Sequence, residues 1–248
     1  MMSSSSVSNK PLEMVAPVPQ RLVDVVESGE VTPDPRKSVT IYPATWVKWI
    51  RPEDTPGVRW FDPTQPKVTI ERQDLVTLAG AIDTDDPVAL RGLFAATMMW
   101  GSGPWNGRGP RYTAQALADH RLADTLRDTR YSVLHNEPED AYARFKVNGI
   151  GPSFFTKWFW AAGLGSRLEV KPLVLDERVW ASLSALGWNS VVAAGGSRLR
   201  KRRYRAYLDT CALWAADKPK LFGGPEDVEN VLFQWAGGRR DRRRGSSH

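Results

Sequence analysis

Two segments of this chain bring together residue types that could do chemistry. The first is Val147-Asn148-Gly149-Ile150-Gly151-Pro152-Ser153, and the second, about two dozen residues on, is Leu173-Val174-Leu175-Asp176. Glu139 to Lys146 reads as a short helix ahead of the first segment. Pro152 suits the first turn of another, where its missing N–H would be unpaired in any case. A tight turn through Gly149 and Gly151 then opens a helix whose first N–H groups have no internal partner, at the positive end of the helix dipole and with no side chain in the way. An anion, and a DNA phosphate above all, fits there. Glycine-turned helical hairpins are common in their own right, so the two glycines gain meaning from the carboxylate that follows. Asp176 ends an apolar run where a further helix begins. It is an N-cap, a catalytic carboxylate, or both.

Together the two segments resemble the helix-hairpin-helix DNA glycosylases, in which a hydrophobic-Gly-hydrophobic-Gly hairpin grips the DNA backbone and a catalytic Asp follows a short apolar run at the mouth of a base pocket. Val147 to Thr156 and Leu173 to Trp180 carry the likeness. Within the superfamily, the string Leu175-Asp176-Glu177-Arg178-Val179-Trp180 is most similar to the 8-oxoguanine glycosylase branch and to bacterial stand-alone proteins of that fold. The likeness spans roughly residues 85 to 236. It implies a mostly α, helix-hairpin-helix glycosylase fold and a monomer that acts on double-stranded DNA. It also implies an enzyme that flips out a damaged or modified base and hydrolyses the N-glycosidic bond, leaving an abasic site. Breaking that bond builds positive charge on the deoxyribose, which a nearby carboxylate stabilises while orienting or deprotonating the attacking water. Under the resemblance Asp176 has that role, and Gly149, Gly151 and Ser153 contact the DNA backbone.

Ser153 is where the chain departs from the bifunctional members of the superfamily. Those carry a Lys two residues after the second hairpin Gly, whose amine forms a Schiff base that leads to strand cleavage. The Ser here implies a monofunctional enzyme that uses water. Lys157 lies one helical turn further along the same face, where it contacts phosphate or solvent or, alternatively, reaches inward as a displaced nucleophile.

The glycine-rich stretch from Trp100 to Arg111 corresponds to the loop that wedges into the duplex beside the base pocket. Trp100 and Trp105 can stack, Asn106 can read base edges, and Arg108 and Arg111 can do either or bind phosphate. A glycine-rich surface loop with one Trp packed inward is the alternative. Its shape differs from the polar wedge triplets of the 8-oxoguanine branch. Two substrates are therefore expected: an oxidised purine, as in DNA repair, or a hypermodified base of phage DNA, as in antiviral defence. A catalytically inactive DNA-binding protein would need the hairpin but not Asp176, and an unrelated helical interaction protein would need neither.

Charge points the same way. The net charge is +6, but Arg198, Arg200, Lys201, Arg202, Arg203 and Arg205 put six cations into eight residues with no acid, and Arg239 to Arg244 hold five Arg against one Asp. Focused positive charge on an otherwise mildly acidic body suits phosphate neutralisation, with Arg198, Arg200, Lys201 and Arg202 as the expected backbone contacts. A solvated helix face and a disordered tail are the alternatives.

The rest of the chain must position these groups. Its 248 residues, 42% hydrophobic, suffice for a sizeable core. The eleven Trp must partly fill that core, and some could stack on bases. Cys211, the one cysteine, falls on the apolar stripe Tyr204, Tyr207, Leu208, Cys211, Trp214 and reads as a core thiol. One cysteine excludes an internal disulfide and a four-cysteine cluster, and three scattered His lack ligand spacing, so no metal or other cofactor is expected. No apolar run approaches the ~18 residues that span a membrane, and Met1 to Lys10 lacks a signal pattern, so a cytoplasmic bacterial protein is expected.

Residues 1–40 read as a loosely ordered extension, 41–84 as an irregular or helical segment packed on the core, 85–236 as the helical domain and 237–248 as a basic tail. Helices are expected from Asp86, as N-cap, to Trp100, and over Tyr112–Ala118, Leu122–Leu126, Glu139–Lys146 and Pro152–Ala162. Three more follow over Asp176–Leu186, Arg198–Ala216 with Ser197 as cap, and Pro225–Trp235. Lys67 to Glu71 is a possible short strand.

Overall fold

The structure is a computed structural model that describes residues 17–33, 38–55, 58–82, 86–102 and 108–236. In chain order these hold α1 (Gln20–Glu27), β1 (Ser38–Ile41), α2 (Pro43–Trp46), β2 (Val68–Glu71), α3 (Arg72–Gly80), α4 (Pro87–Ser102), α5 (Arg108–Leu117), α6 (Leu122–Leu134) and α7 (Pro138–Arg144). Then come α8 (Pro152–Ala162), α9 (Glu177–Ala185), α10 (Ser190–Ala193), α11 (Arg200–Asp217) and α12 (Pro225–Trp235). The fold is mostly helical, as expected.

The centre is α4, apolar on nearly every side because it is covered all round: Leu90, Leu93, Phe94, Met98 and Met99 are buried, with α8, α6, α5 and α3 packed on it. Asp86 starts it, its carboxylate accepting from the N–H groups of Val88 and Ala89 at 2.8 and 3.2 Å. The second layer is α11 against α12 and α7, with α9 on α12. Between α8 and α9 the chain runs extended over residues 170–176, and this run meets both layers.

Two stretches differ from the sequence reading. Residues 17–33, expected within a loosely ordered extension, carry an amphipathic helix: Leu22, Val23 and Val25 of α1 are buried, α1 packs on α12, and the Arg21 guanidinium lies 5.1 Å from the Trp235 ring centroid. Its apolar residues, Leu22, Val23, Val25 and Val26, crowd into little more than one turn among Pro-rich flanks, too short a stretch to show the period. α6 runs on to Leu134 instead of stopping at Leu126, because its continuation buries polar residues. Thr129 and Ser132 turn their hydroxyls onto the carbonyls of Thr125 and Asp128 one turn back, at 2.6 and 3.2 Å.

Smaller differences bear on the site. α5 begins at Arg108, so Arg108 and Arg111 stand on a helix and not in a loop. α11 begins at Arg200 with Leu199 as its N-cap; Ser197, expected to cap, accepts only from the Leu199 N–H at 3.4 Å. Within 41–84 the expected strand pairs antiparallel with β1, Ile41 opposite Val68 and Ser38 opposite Glu71. Half of the ten described Trp are core: Trp46, Trp60, Trp158, Trp214 and Trp235 are buried and line none of the cavities described below. Cys211 is buried as expected, and burial pushes its thiol pKa up.

Candidate active site

Asp176 is held by its backbone neighbours before its own side chain acts. Leu173 and Val174 are buried, and their carbonyls accept from the hydroxyls of Tyr204 and Tyr207 on α11, at 2.9 and 2.8 Å. The next residue, Leu175, donates its N–H to Thr156 Oγ1 on α8 at 3.0 Å. Two successive peptide groups, 173–174 and 174–175, are thus fixed from two helices. Both tyrosines are fully buried, and desolvation raises their pKa values well above the ordinary phenol range, so they stay neutral donors. The sequence reading placed them on an apolar stripe and missed this role. The signal was there: Tyr in place of Phe at a core position implies a partner for the hydroxyl.

The Asp176 side chain divides its two oxygens. Oδ1 accepts from the N–H groups of Arg178 and Val179, at 2.9 and 3.1 Å, which caps α9. Oδ2 lies 3.9 Å from Lys157 Nζ, both side chains being only about a tenth exposed. Capping and a second function are therefore compatible in one residue. The Lys157 ammonium also donates to the Ser153 carbonyl at 2.9 Å. Its stem crosses Gly101 so closely that a Cβ there would stand 2.5 Å from Lys157 Cδ. Lys157 is thus drawn inward to the carboxylate, not outward to solvent.

The hairpin adjoins. Gly149 takes φ +80°, a left-handed conformation that suits glycine, and the Ile150 N–H returns to the Val147 carbonyl. The turn is braced by Asp119, which takes the Asn148 N–H and a two-pronged contact from Arg121; the Arg121 guanidinium holds this carboxyl well below the usual carboxylate range. Gly151 caps α8 with no side chain in the way. The N–H groups of Phe154 and Phe155 turn back to its carbonyl, so Ser153 N–H is the first-turn donor left for an outside acceptor.

An open cleft of about 610 Å³ joins these parts: Gly101, Arg108, Tyr112, the hairpin residues Gly149, Gly151 and Ser153, then Lys157 and Asp176 at its floor. Two further cavities meet at Asp176. One, about 420 Å³, runs past Tyr142, Trp180, Arg200 and Arg203; the other is a small chamber of about 60 Å³ walled by Trp100, Trp160, Arg72, Lys157, Glu226, Glu229, Asn230 and Phe233. Trp100 is buried and stacked on Trp160, ring centroids 4.8 Å apart, so it belongs to the chamber wall. Arg108 is exposed at the cleft. Arg111 is exposed with its guanidinium 5.5 Å from the Tyr112 ring centroid and does not line the cleft. Trp105 and Asn106, expected in the wedge, lie outside the described residues, as does the basic tail.

The basic segment is less uniform than its sequence. Acids absent from the segment arrive from elsewhere in the fold: Lys201 pairs with Asp140 of α7 at 2.8 Å, and Arg205 with Asp209 at 2.8 Å and Glu139 at 3.3 Å. Arg203 donates to Ser190 Oγ at 2.8 Å. Lys201, expected on the DNA backbone, is thus bound to α7. Arg198, Arg200 and Arg202 are exposed and form no ion pair among the described residues. Neutralising two of these three should flatten the dependence of log affinity on log salt by about one unit each. Binding isotherms across a salt series would show this, and an unaltered slope would mean a merely solvated face.

A glycine hairpin feeding α8, with a carboxylate at the start of α9 on the floor of the adjoining cleft, is the arrangement of a helix-hairpin-helix DNA glycosylase. Residues 33–233 match the family model described as "Putative 8-oxoguanine DNA glycosylase OGG-like protein", and the chain belongs to that family. Neither the curated proteins nor the solved structures gave a match to it. No helix among the described residues is long and apolar enough to cross a membrane.

Proposed function

We propose that this protein is a monofunctional DNA glycosylase that removes an oxidised purine or a hypermodified base from double-stranded DNA and leaves an abasic site. The observation that carries the reading is the division of Asp176: one oxygen caps α9, the other lies against Lys157, and the residue lines three cavities. In the reaction the C1′–N bond breaks and its electron pair leaves with the base. The Asp176 carboxylate stabilises the positive charge left on the sugar, and water adds to C1′ and gives up a proton. The hairpin and the exposed Arg198, Arg200 and Arg202 hold phosphates, while Arg108 stands at the cleft rim where the duplex would lie.

Ser153 supports hydrolysis, having no amine to offer. One observation favours a second reading: Lys157 Nζ lies 3.9 Å from Asp176 Oδ2, where an amine could attack C1′. As placed, it is tied to that carboxylate and to the Ser153 carbonyl, which supports a charged partner over a nucleophile. Borohydride separates the two. Wild-type protein should yield no trapped adduct with DNA, and strands should break only when the abasic product is treated with alkali or heat. Efficient trapping that disappears in Lys157→Ala would make Lys157 the nucleophile.

A further inference from the structure

Glu229 has no task in the account above. It stands on α12 one turn beyond Glu226 and lines the small chamber with Asp176, Lys157, Trp100 and Trp160. Glu229 is half-buried there, and its oxygens are not among the buried polar atoms left without a partner. Each element around it brings a charged or titratable group. Asp176 at the start of α9 and Glu226 on its own helix oppose a further negative charge; Lys157 of α8 and Arg72 of α3 favour one; Tyr204, Tyr207 and Cys211 of α11 are neutral neighbours. Loss of water is the largest influence and Asp176 the next, and the carboxyl pKa is pushed up to about 8. Of the chamber's three carboxyls Glu226 pairs with Arg72 at 2.8 Å; of the other two, Asp176 lies against the Lys157 ammonium while Glu229 carries a proton at neutral pH. Such a pair suits acid–base work in which the two groups have different roles.

We propose that Glu229 donates a proton to the departing base while Asp176 stabilises the sugar, an inference that rests on the glycosylase reading. As the C1′–N bond breaks, its electron pair moves onto the base. The Glu229 O–H gives its proton to a ring nitrogen or carbonyl oxygen of that base and becomes a carboxylate, which Lys157 and Arg72 favour while it lasts. Water adds to C1′ and loses a proton, and that proton restores Glu229. One water is consumed, and a neutral base and an abasic deoxyribose are released.

Glu229→Gln keeps the shape and a hydrogen-bond donor but has no proton to transfer. Single-turnover excision would be followed from about pH 6 to pH 9.5 on oxidised DNA and on modified phage DNA, with binding measured alongside. The wild-type rate should fall about tenfold per pH unit above about 8, while Glu229→Gln should be slower by roughly 10²-fold or more, flat over that range, with DNA affinity unchanged. A wild-type rate in Glu229→Gln, or a slow variant that keeps the alkaline fall, would overturn the proposal.

Stability gives a readout without substrate. The folded pKa of Glu229 lies above its unfolded value, so the unfolded chain loses the proton first and wild-type stability declines as pH rises from the ordinary carboxylate range to about 8. Glu229→Gln lacks that decline and should gain on the wild type between about pH 5 and pH 8. A wild-type-to-variant difference that ignores pH would overturn the proposal whatever the substrate. If wild-type protein excises nothing from either DNA, the glycosylase reading itself fails and proton donation falls with it. Excision with an indifferent Glu229 sinks proton donation alone.

Discussion

Asp176→Asn should fold, bind DNA with wild-type affinity, and excise base ~10²-fold more slowly or worse. The substitution preserves what Oδ1 does, because Asn is as good an N-cap as Asp and its amide oxygen can accept from Arg178 and Val179. What it removes is the charge at Oδ2, the oxygen that lies 3.9 Å from Lys157 Nζ and takes no part in the cap. A preorganised electrostatic group aimed at charge developing in the transition state is worth about 10²–10³ in rate, and in a water-poor site no solvent replaces it. Unfolding curves and single-turnover excision by the same preparation check both halves. Wild-type excision by Asp176→Asn would reduce Asp176 to a cap.

Gly149→Ala should weaken DNA binding about tenfold whatever the DNA sequence. At φ +80° an L side chain costs about 1–2 kcal/mol, and its Cβ would stand 3.6 Å from Gln115 Oε1. The turn would relax to another shape and carry the Ser153 N–H off its line to a phosphate. Gly151→Ala isolates a different effect. That residue has φ −86° and open space around it, so the protein should fold normally, and any loss of affinity reports a Cβ meeting the DNA backbone. Titrations with two unrelated duplexes distinguish backbone from base contacts, since phosphate contacts carry no sequence information. Unchanged affinity in both folded variants would contradict the clamp.

What the sequence told most clearly was local and punctuated. Pro152 and Gly163 bracket α8, Pro225 opens α12, and Asp176 precedes α9, so proline, glycine and a capping carboxylate mark these ends without help from the fold. The hairpin and Asp176 were legible for the same reason. What stayed hidden depends on partners distant in sequence. Lys201 and Arg205 looked like one bare basic run because Asp140 and Glu139, about sixty residues upstream, reach them only after α7 and α11 pack. Tyr204 and Tyr207 read as core, yet their hydroxyls hold carbonyls of a strand-like run from another part of the chain. Nothing in the sequence singled out Glu229, because the groups it shares a chamber with, Arg72, Lys157 and Asp176, come from other elements. Arg108 and Arg111 were read as loop residues because Gly109 and Pro110 between them punctuate the sequence, whereas both fall in the first turns of α5, where proline is tolerated.

The most direct measurement of the central claim is the free base itself. Purified protein would be incubated with DNA from unmodified bacteria, with oxidised DNA and with modified phage DNA, and released bases would be separated and weighed by mass spectrometry, with Asp176→Asn in parallel. The account predicts that wild-type protein releases one damaged or modified base and leaves an equal number of abasic sites, while Asp176→Asn binds the same DNA and releases almost none. Tight binding by wild-type protein with no base released from any of the three would contradict it and leave a DNA-binding protein without glycosylase activity.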